Sequence, residues 1–310
     1  MFRNSSILVP TDFSNYANYA LKYAVAFAKK YNGTLHFAHV LDAAAVTGLR
    51  GHGLWLDKSE ADTLLDSMRD HARSRLAHLL QVASDEGIAA TDIIVVGYAP
   101  QEILRLIDDT GSTMVVLATH GRSGFEHMVF GSVAEKVVRQ SHVPVLSIKH
   151  PEREFVQEYD LKLSIRRILF PTDLSELSEK ALPFAVSLAR EFDATLVVFH
   201  ANEIPLVLPE FMPDSAVTLG PRLEQEARLL VDEICAKVND VKVEGHTCSG
   251  TPFREICAYV DSQAVDLVVM PTHGRSGLGH VLFGSVAEKV VRLAKCPVLT
   301  IRPEWGGREA

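Results

Sequence analysis

A chain of 310 residues, 47% hydrophobic and 23% charged, suits two globular domains of about 150 residues each, and fibrous, collagenous and wholly disordered readings are excluded. Its formal net charge of -8, with no Lys/Arg cluster, repels a phosphate backbone, so nucleic acid is not an expected partner. No apolar run approaches the roughly 18 residues of a membrane span, so no membrane partner is expected and the protein reads as soluble, unexported and cytoplasmic.

Short β-branched runs alternate with longer amphipathic stretches along the chain, which predicts βαβ units around a parallel sheet. In the first half strands are predicted at Ser6 to Val9, Thr34 to Val40, Asp92 to Val96, Met114 to Leu117 and Val143 to Ile148. Apolar periodicity predicts helices between them near 16–31, 58–86, 100–110 and 132–140. Residues 151–162, PEREFVQEYDLK, are charged and aperiodic and read as a linker. The second half repeats the order, with strands near 167–170, 195–200, 241–246, 267–270 and 298–301. The expected domains are therefore 1–150 and 163–310.

The repeat is visible residue by residue, which fixes the architecture before any chemistry is considered. Residues 119–139, THGRSGFEHMVFGSVAEKVVR, match 272–292, THGRSGLGHVLFGSVAEKVVR, at 17 of 21 positions with an offset of 153. ILVPTDFS at 7–14 recurs as ILFPTDLS at 168–175, offset by 161, and Gly97 to Ile103 matches Gly250 to Ile256 at 153 again. The stretches after the second strands, Ala43 to Asp57 and Asn202 to Pro221, diverge most and read equally as lids or as surface loops. All four cysteines, Cys235, Cys248, Cys257 and Cys296, lie in the second half without a C-x-x-C pair, and buried free thiols are expected.

In an open parallel sheet ligands sit beyond the carboxyl ends of the strands, where the strand order reverses, so the loops after strands one and four are the expected site. The second of these runs from Ala118 through His120, Gly121 and Arg122 to Gly124, and Gly131 and Ser132 then open the last helix. Glycines admit backbone N–H groups close to a ligand, and the helix N-terminus adds partial positive charge; together these suit a phosphate. Plain turn glycines, with Ser132 and Ser285 as helix caps, explain the same residues, and both readings stand on this evidence.

P-T-D-x-S after strand one, T-H-G-R-S-G after strand four, G-S-V-A-E-K-V opening the last helix and a closing V-P-V-L-S-I or C-P-V-L-T-I, each present twice, resemble the universal stress proteins in tandem form. The resemblance covers nearly the whole chain. It implies an α/β fold of two doubly wound domains, each a five-stranded parallel sheet in the order 3-2-1-4-5 flanked by helices. It also implies an adenine nucleotide, ATP, bound through G-x2-G-x9-G-[S/T]. Gly121, Gly131 and Ser132, and again Gly274, Gly284 and Ser285, match that motif after its first glycine, which Ala118 and Pro271 replace. Proline lacks an N–H, so the first domain is the expected nucleotide site.

By the same resemblance Asp12 and, in the second copy, Asp173 meet the ribose or adenine, with Pro10 and Thr11 beside them in the binding site; capping of the following helix by Asp12 and Ser14 is the other reading. Val40, with Ala201 as its counterpart, walls the base, and Val133 follows Ser132 in the phosphate-binding turn. His120 and His273, just before the loop glycine, are within reach of phosphates, and Arg122 and Arg275 read equally as their charge partners or as solvent-facing loop charges. A magnesium ion reconciles a nearby carboxylate with a triphosphate. His127 and His280 recur seven residues after these histidines but lack a third ligand, so no protein-held metal site is expected.

G-x4-G-K-[ST], G-x-G-x-x-G, G-x-S-x-G and H-E-x-x-H are all absent, so no dedicated catalytic residue is expected, and slow ATP turnover is the only chemistry in view. Two readings differ in class: a nucleotide-dependent regulatory module of the stress response, and a nucleotide-free scaffold acting on protein partners of unknown identity. The fifth strands, VPVLSIK and CPVLTIR, are apolar edges. Their pairing inside one chain, as an intramolecular pseudo-dimer, is expected, and the resemblance adds homodimers of whole chains.

Overall fold

The computed structural model describes residues 4–42, 58–119, 130–149, 163–203, 219–273, 283–302 and 305. The chain divides into two compact units between Leu163 and Ser164.

The first unit contains β1 (Ser6–Pro10), α1 (Asn15–Tyr31), β2 (Thr34–Asp42), α2 (Lys58–Asp85), β3 (Ala90–Gly97), α3 (Ala99–Asp109), β4 (Met114–Ala118), α4 (Ser132–Gln140) and β5 (Val145–Ile148). The strands lie in the order β3-β2-β1-β4-β5, and their pairings are parallel. Strands β1, β4 and β5 are apolar on both faces because helices cover both sides, as a doubly wound sheet requires. Phe27, Phe37, Leu8, Leu35, Leu76, Ile107 and Met114 form the fully buried centre, each contributing roughly 1.5–3 kcal/mol by leaving water.

The second unit contains β6 (Arg167–Pro171), α5 (Glu176–Glu179), α6 (Leu182–Phe192), β7 (Thr195–Asn202), α7 (Leu219–Ala236), β8 (Val243–Ser249), α8 (Pro252–Ser262), β9 (Leu267–Pro271), α9 (Ser285–Leu293) and β10 (Val298–Ile301). Its order is β8-β7-β6-β9-β10, again with parallel pairing. Both units thus carry the expected 3-2-1-4-5 order, and both reverse direction of growth between their first and fourth strands.

Three departures from expectation have local causes. The fifth strand of the first unit starts at Val145, not Val143, because the Val143 N–H donates to Ser141 Oγ (3.2 Å), whose hydroxyl donates back to the Val143 carbonyl (2.8 Å), and Pro144 has no N–H for a ladder. The strand at 241–246 lies instead at Val243–Ser249. The single helix α1 is matched in the second unit by two pieces, α5 and α6, because Pro183 stands where α1 has Lys22. Only Cys296 is buried; Cys235, Cys248 and Cys257 are half-buried, Cys248 being on the edge strand β8.

Candidate functional site

The turn leaving β1 is built by its own side chains. The Thr11 N–H extends the β2 ladder to the Ala38 carbonyl (2.8 Å). Thr11 Oγ1 then accepts the Phe13 N–H (3.0 Å), and Asp12 Oδ1 accepts the Ser14 N–H (3.0 Å). Ser14 caps α1 by accepting the Ala17 N–H (3.2 Å). These bonds force Phe13 into the left-handed region, φ 62°, where a side chain is disfavoured. The second unit repeats the construction: Thr172 Oγ1 accepts from Leu174 (3.0 Å), Asp173 Oδ1 from Ser175 (3.0 Å), Ser175 caps α5, and Leu174 has φ 63°. Ser14 therefore is a cap, while Asp12 and Asp173 fix the turn one step before it.

Two histidines brace these turns from the second strands. His39 Nδ1 lies 2.7 Å from the Thr11 carbonyl and His200 Nδ1 lies 2.8 Å from that of Thr172. A carbonyl only accepts, so Nδ1 carries the proton in both rings. The His39 ring also packs on Phe13, with centroids 4.4 Å apart. Neither histidine was singled out by motif. Their shared offset of 161, the same as that of the turns they brace, is the signal that finds them.

Beyond β4 the chain returns to the same edge of the sheet. Thr119 donates its N–H to the Ile148 carbonyl (2.9 Å), and its own carbonyl accepts the Gly131 N–H (2.8 Å). In the second unit Thr272 bonds Ile301 (2.9 Å) and Gly284 bonds Thr272 (2.7 Å) in the same way. Gly131 and Gly284 are the N-cap residues, so Ser132 and Ser285 are the first helical residues and the capping reading of these serines is corrected. A Cβ on Gly284 would lie 3.1 Å from the Thr272 carbonyl oxygen, which explains glycine at a position of ordinary φ. A glycine cap offers no side-chain acceptor, and the first intrahelical bond is Glu135 N–H to Gly131. The first-turn amides of Ser132 and Val133 thus face the carboxyl edge with no helical acceptor, beside the positive end of the dipole.

Among the expected site residues, Pro10 ends β1 and Thr11 and Asp12 follow it, Ala118 ends β4, and Gly131, Ser132 and Val133 stand at the start of α4, all at the carboxyl edge of the first unit. Val40 lies in β2, which continues two residues further to Asp42, and pairs with Val95. Asp173, His273, Gly284 and Ser285 hold the matching places in the second unit, where Thr272 Oγ1 and His273 Nδ1 are 2.8 Å apart. There Pro271 ends β9, and Ala201 pairs with Cys248, whose thiol burial and the nearby Glu255 carboxylate push up to about 11. His120, Gly121, Arg122 and Gly274, with Arg275, His127 and His280, lie outside the described residues.

Comparison with known proteins decides the lineage. The pattern of the universal stress protein family matches residues 3–149 and again 164–302. The chain belongs to the universal stress protein family. Among relatives, a universal stress protein of Mycobacterium tuberculosis strain H37Rv is 25% identical over 310 residues, covering 97% of this chain and 98% of its own. A single-copy universal stress protein of Methanocaldococcus jannaschii is 30% identical over 152 residues, 46% of this chain and 93% of its own. The crystal structure of a universal stress protein from Archaeoglobus fulgidus shares the fold with a TM-score of 0.68 at 23% identity, over 97% of this chain and all of that one. No described helix is long and apolar enough to cross a membrane.

Proposed function

We propose that this universal stress protein is a cytoplasmic, nucleotide-dependent regulatory module of the stress response, binding an adenine nucleotide, ATP with magnesium, at the β1/β4 switch of its first unit. The observation that carries this reading is the first turn of α4, whose Gly131 cap supplies no side-chain acceptor, at the same carboxyl edge as the braced Thr11–Ser14 turn. Amides of Ser132 and Val133 suit phosphate oxygens, while Asp12 suits a ribose hydroxyl. Pro10, Thr11, Val40 and Ala118 complete the proposed pocket, and Gly121, His120 and Arg122 are proposed to join it on the strength of the sequence pattern. Bound magnesium would neutralise phosphate charge that the half-buried Asp12 otherwise repels. On this reading the module works through occupancy, which biases its protein partners.

In the second unit Pro271 ends β9 with no N–H to offer, and it is buried. This favours the scaffold reading for that half, in which Asp173, His273, Gly284 and Ser285 hold the matching places without the ligand. The test is to denature the purified protein, identify released small molecules by chromatography, and repeat with Gly121→Val and Gly274→Val. ATP lost with the first substitution and kept with the second is the expected result. Absence of nucleotide, with no thermal shift on adding ATP and magnesium, moves the whole chain to the scaffold reading.

A further inference from the structure

We propose that Arg75, on α2, is a positioning residue for the Thr11–Ser14 turn of the first unit, and so for nucleotide held there. Its Nη2 donates to the Phe13 carbonyl at 3.0 Å, and its guanidinium carbon stands 4.9 Å over the Phe13 ring. The opposite constraint comes from β2, where His39 holds the Thr11 carbonyl and packs on the same ring. Phe13 is therefore gripped through its N–H by Thr11, through its carbonyl by Arg75, and across its ring by both neighbours. Leu174 reaches the same left-handed conformation through the turn's own bonds, so at Phe13 the grip adds outside restraint to a strained residue that the turn already holds. Asp12 precedes Phe13 directly and its Oδ1 accepts the N–H of Ser14 just beyond it, so its carboxylate rests on the backbone that these contacts restrain.

Among the described residues the second unit shows no such clamp. The buried residues Ala72, Leu76 and Leu79 of α2 correspond in spacing to Ala227, Val231 and Ile234 of α7, which sets Leu230 at the place of Arg75. Leu230 is 45% exposed and Leu174 replaces Phe13, so neither the cation nor the aromatic ring is present. The half with the proline at its fourth strand is thus also the half without an arginine on its turn. The two differences arise on separate elements and agree.

This inference rests on the nucleotide reading for its functional consequence but not for its geometry, and two readouts on the full chain separate them. Hydrogen exchange at the Phe13 and Ser14 amides reads the turn directly, and ATP titration reads the site. Arg75→Ala is expected to speed exchange and weaken ATP binding about fivefold each, the loss of one ordinary hydrogen bond. Arg75→Lys, which keeps charge and a donor, recovers most of both, whereas Arg75→Met, which keeps only bulk, does not. Arg73→Ala, two residues away and paired with Asp70, changes neither. Unchanged exchange in Arg75→Ala, equal acceleration in Arg73→Ala, or rescue by methionine in place of lysine overturns the clamp. Faster exchange with unaltered ATP affinity overturns its role in nucleotide positioning. If the unaltered protein binds no ATP, the nucleotide reading has failed, and exchange alone decides the clamp.

Discussion

Phe13 and Leu174 occupy backbone space that glycine usually takes, at a cost of about 1–2 kcal/mol each. Nothing in a phenylalanine or a leucine announces this, so the sequence shows P-T-D-x-S as a motif while hiding the conformation of its fourth residue. The reverse holds at Gly284, where φ is ordinary and the glycine answers to a carbonyl 3.1 Å from its missing Cβ. That oxygen is itself pinned by the Gly284 N–H at 2.7 Å, so it cannot yield. Gly284→Ala is expected to lower stability by about 1–2 kcal/mol, read as a falling denaturation midpoint. His246 carries a different expectation. It stacks on Phe199 with centroids 5.4 Å apart, and desolvation lowers its pKa, as it does that of His36. The unfolded chain therefore takes up these protons first as the pH falls. Stability is full above about pH 6.5, the ordinary imidazole value, and declines below it toward the lowered native values. Acid titration of thermal stability should show this limb, and His246→Phe should flatten it. Cys248, with its thiol raised to about 11, should react with iodoacetamide far more slowly than an unhindered thiol at neutral pH.

At the level of elements the repeat made most of the fold legible. Strand and helix order, parallel pairing and the position of the switch point all follow from hydrophobic period and duplication, because burial on two faces leaves a plain pattern. Strand ends were less legible, since the last residues of β2 and β3 are fixed by the partner strand rather than by their own side chains. The match of Gly97 to Ile103 with Gly250 to Ile256 gains its reason only in three dimensions. Glu102 and Glu255 fold back so closely that a Cβ on Gly97 or Gly250 would come within 2.7 Å and 2.4 Å of them. Pro183 shows what one residue can do to an element. Lys22→Pro, placing the same ring inside continuous α1, is expected to cost about 3 kcal/mol or more. Pro183→Lys, at an existing break, should change stability by about 1 kcal/mol at most and raise helical ellipticity. A large loss from the second substitution would show that the break is required by its surroundings rather than imposed by the proline.

For the molecule as a whole, the two halves keep one scaffold and differ at few places that bear on the site. Ala118 corresponds to Pro271, Phe13 to Leu174 and Arg75 to Leu230, while the aspartates, histidines and capping glycines are held in common. The first pair was readable from the motif. The third was not, because it depends on how α2 and α7 lie on their sheets. Binding confined to the first unit carries a calorimetric consequence. ATP at a hundred times its dissociation constant should stabilise that unit by about 2.7 kcal/mol and leave the second unit's intrinsic stability unchanged. Equal stabilisation of both units would show that Pro271 is tolerated.

The two turns share the threonine, aspartate and serine bonds to backbone N–H groups and the histidine brace, and this gives the molecule an internal standard. Any measurement on Ser14 has its reference in Ser175 of the same polypeptide, at identical concentration, temperature and history. Differences between such paired readings report sequence alone, so divergence between the copies can be weighed without comparing two preparations.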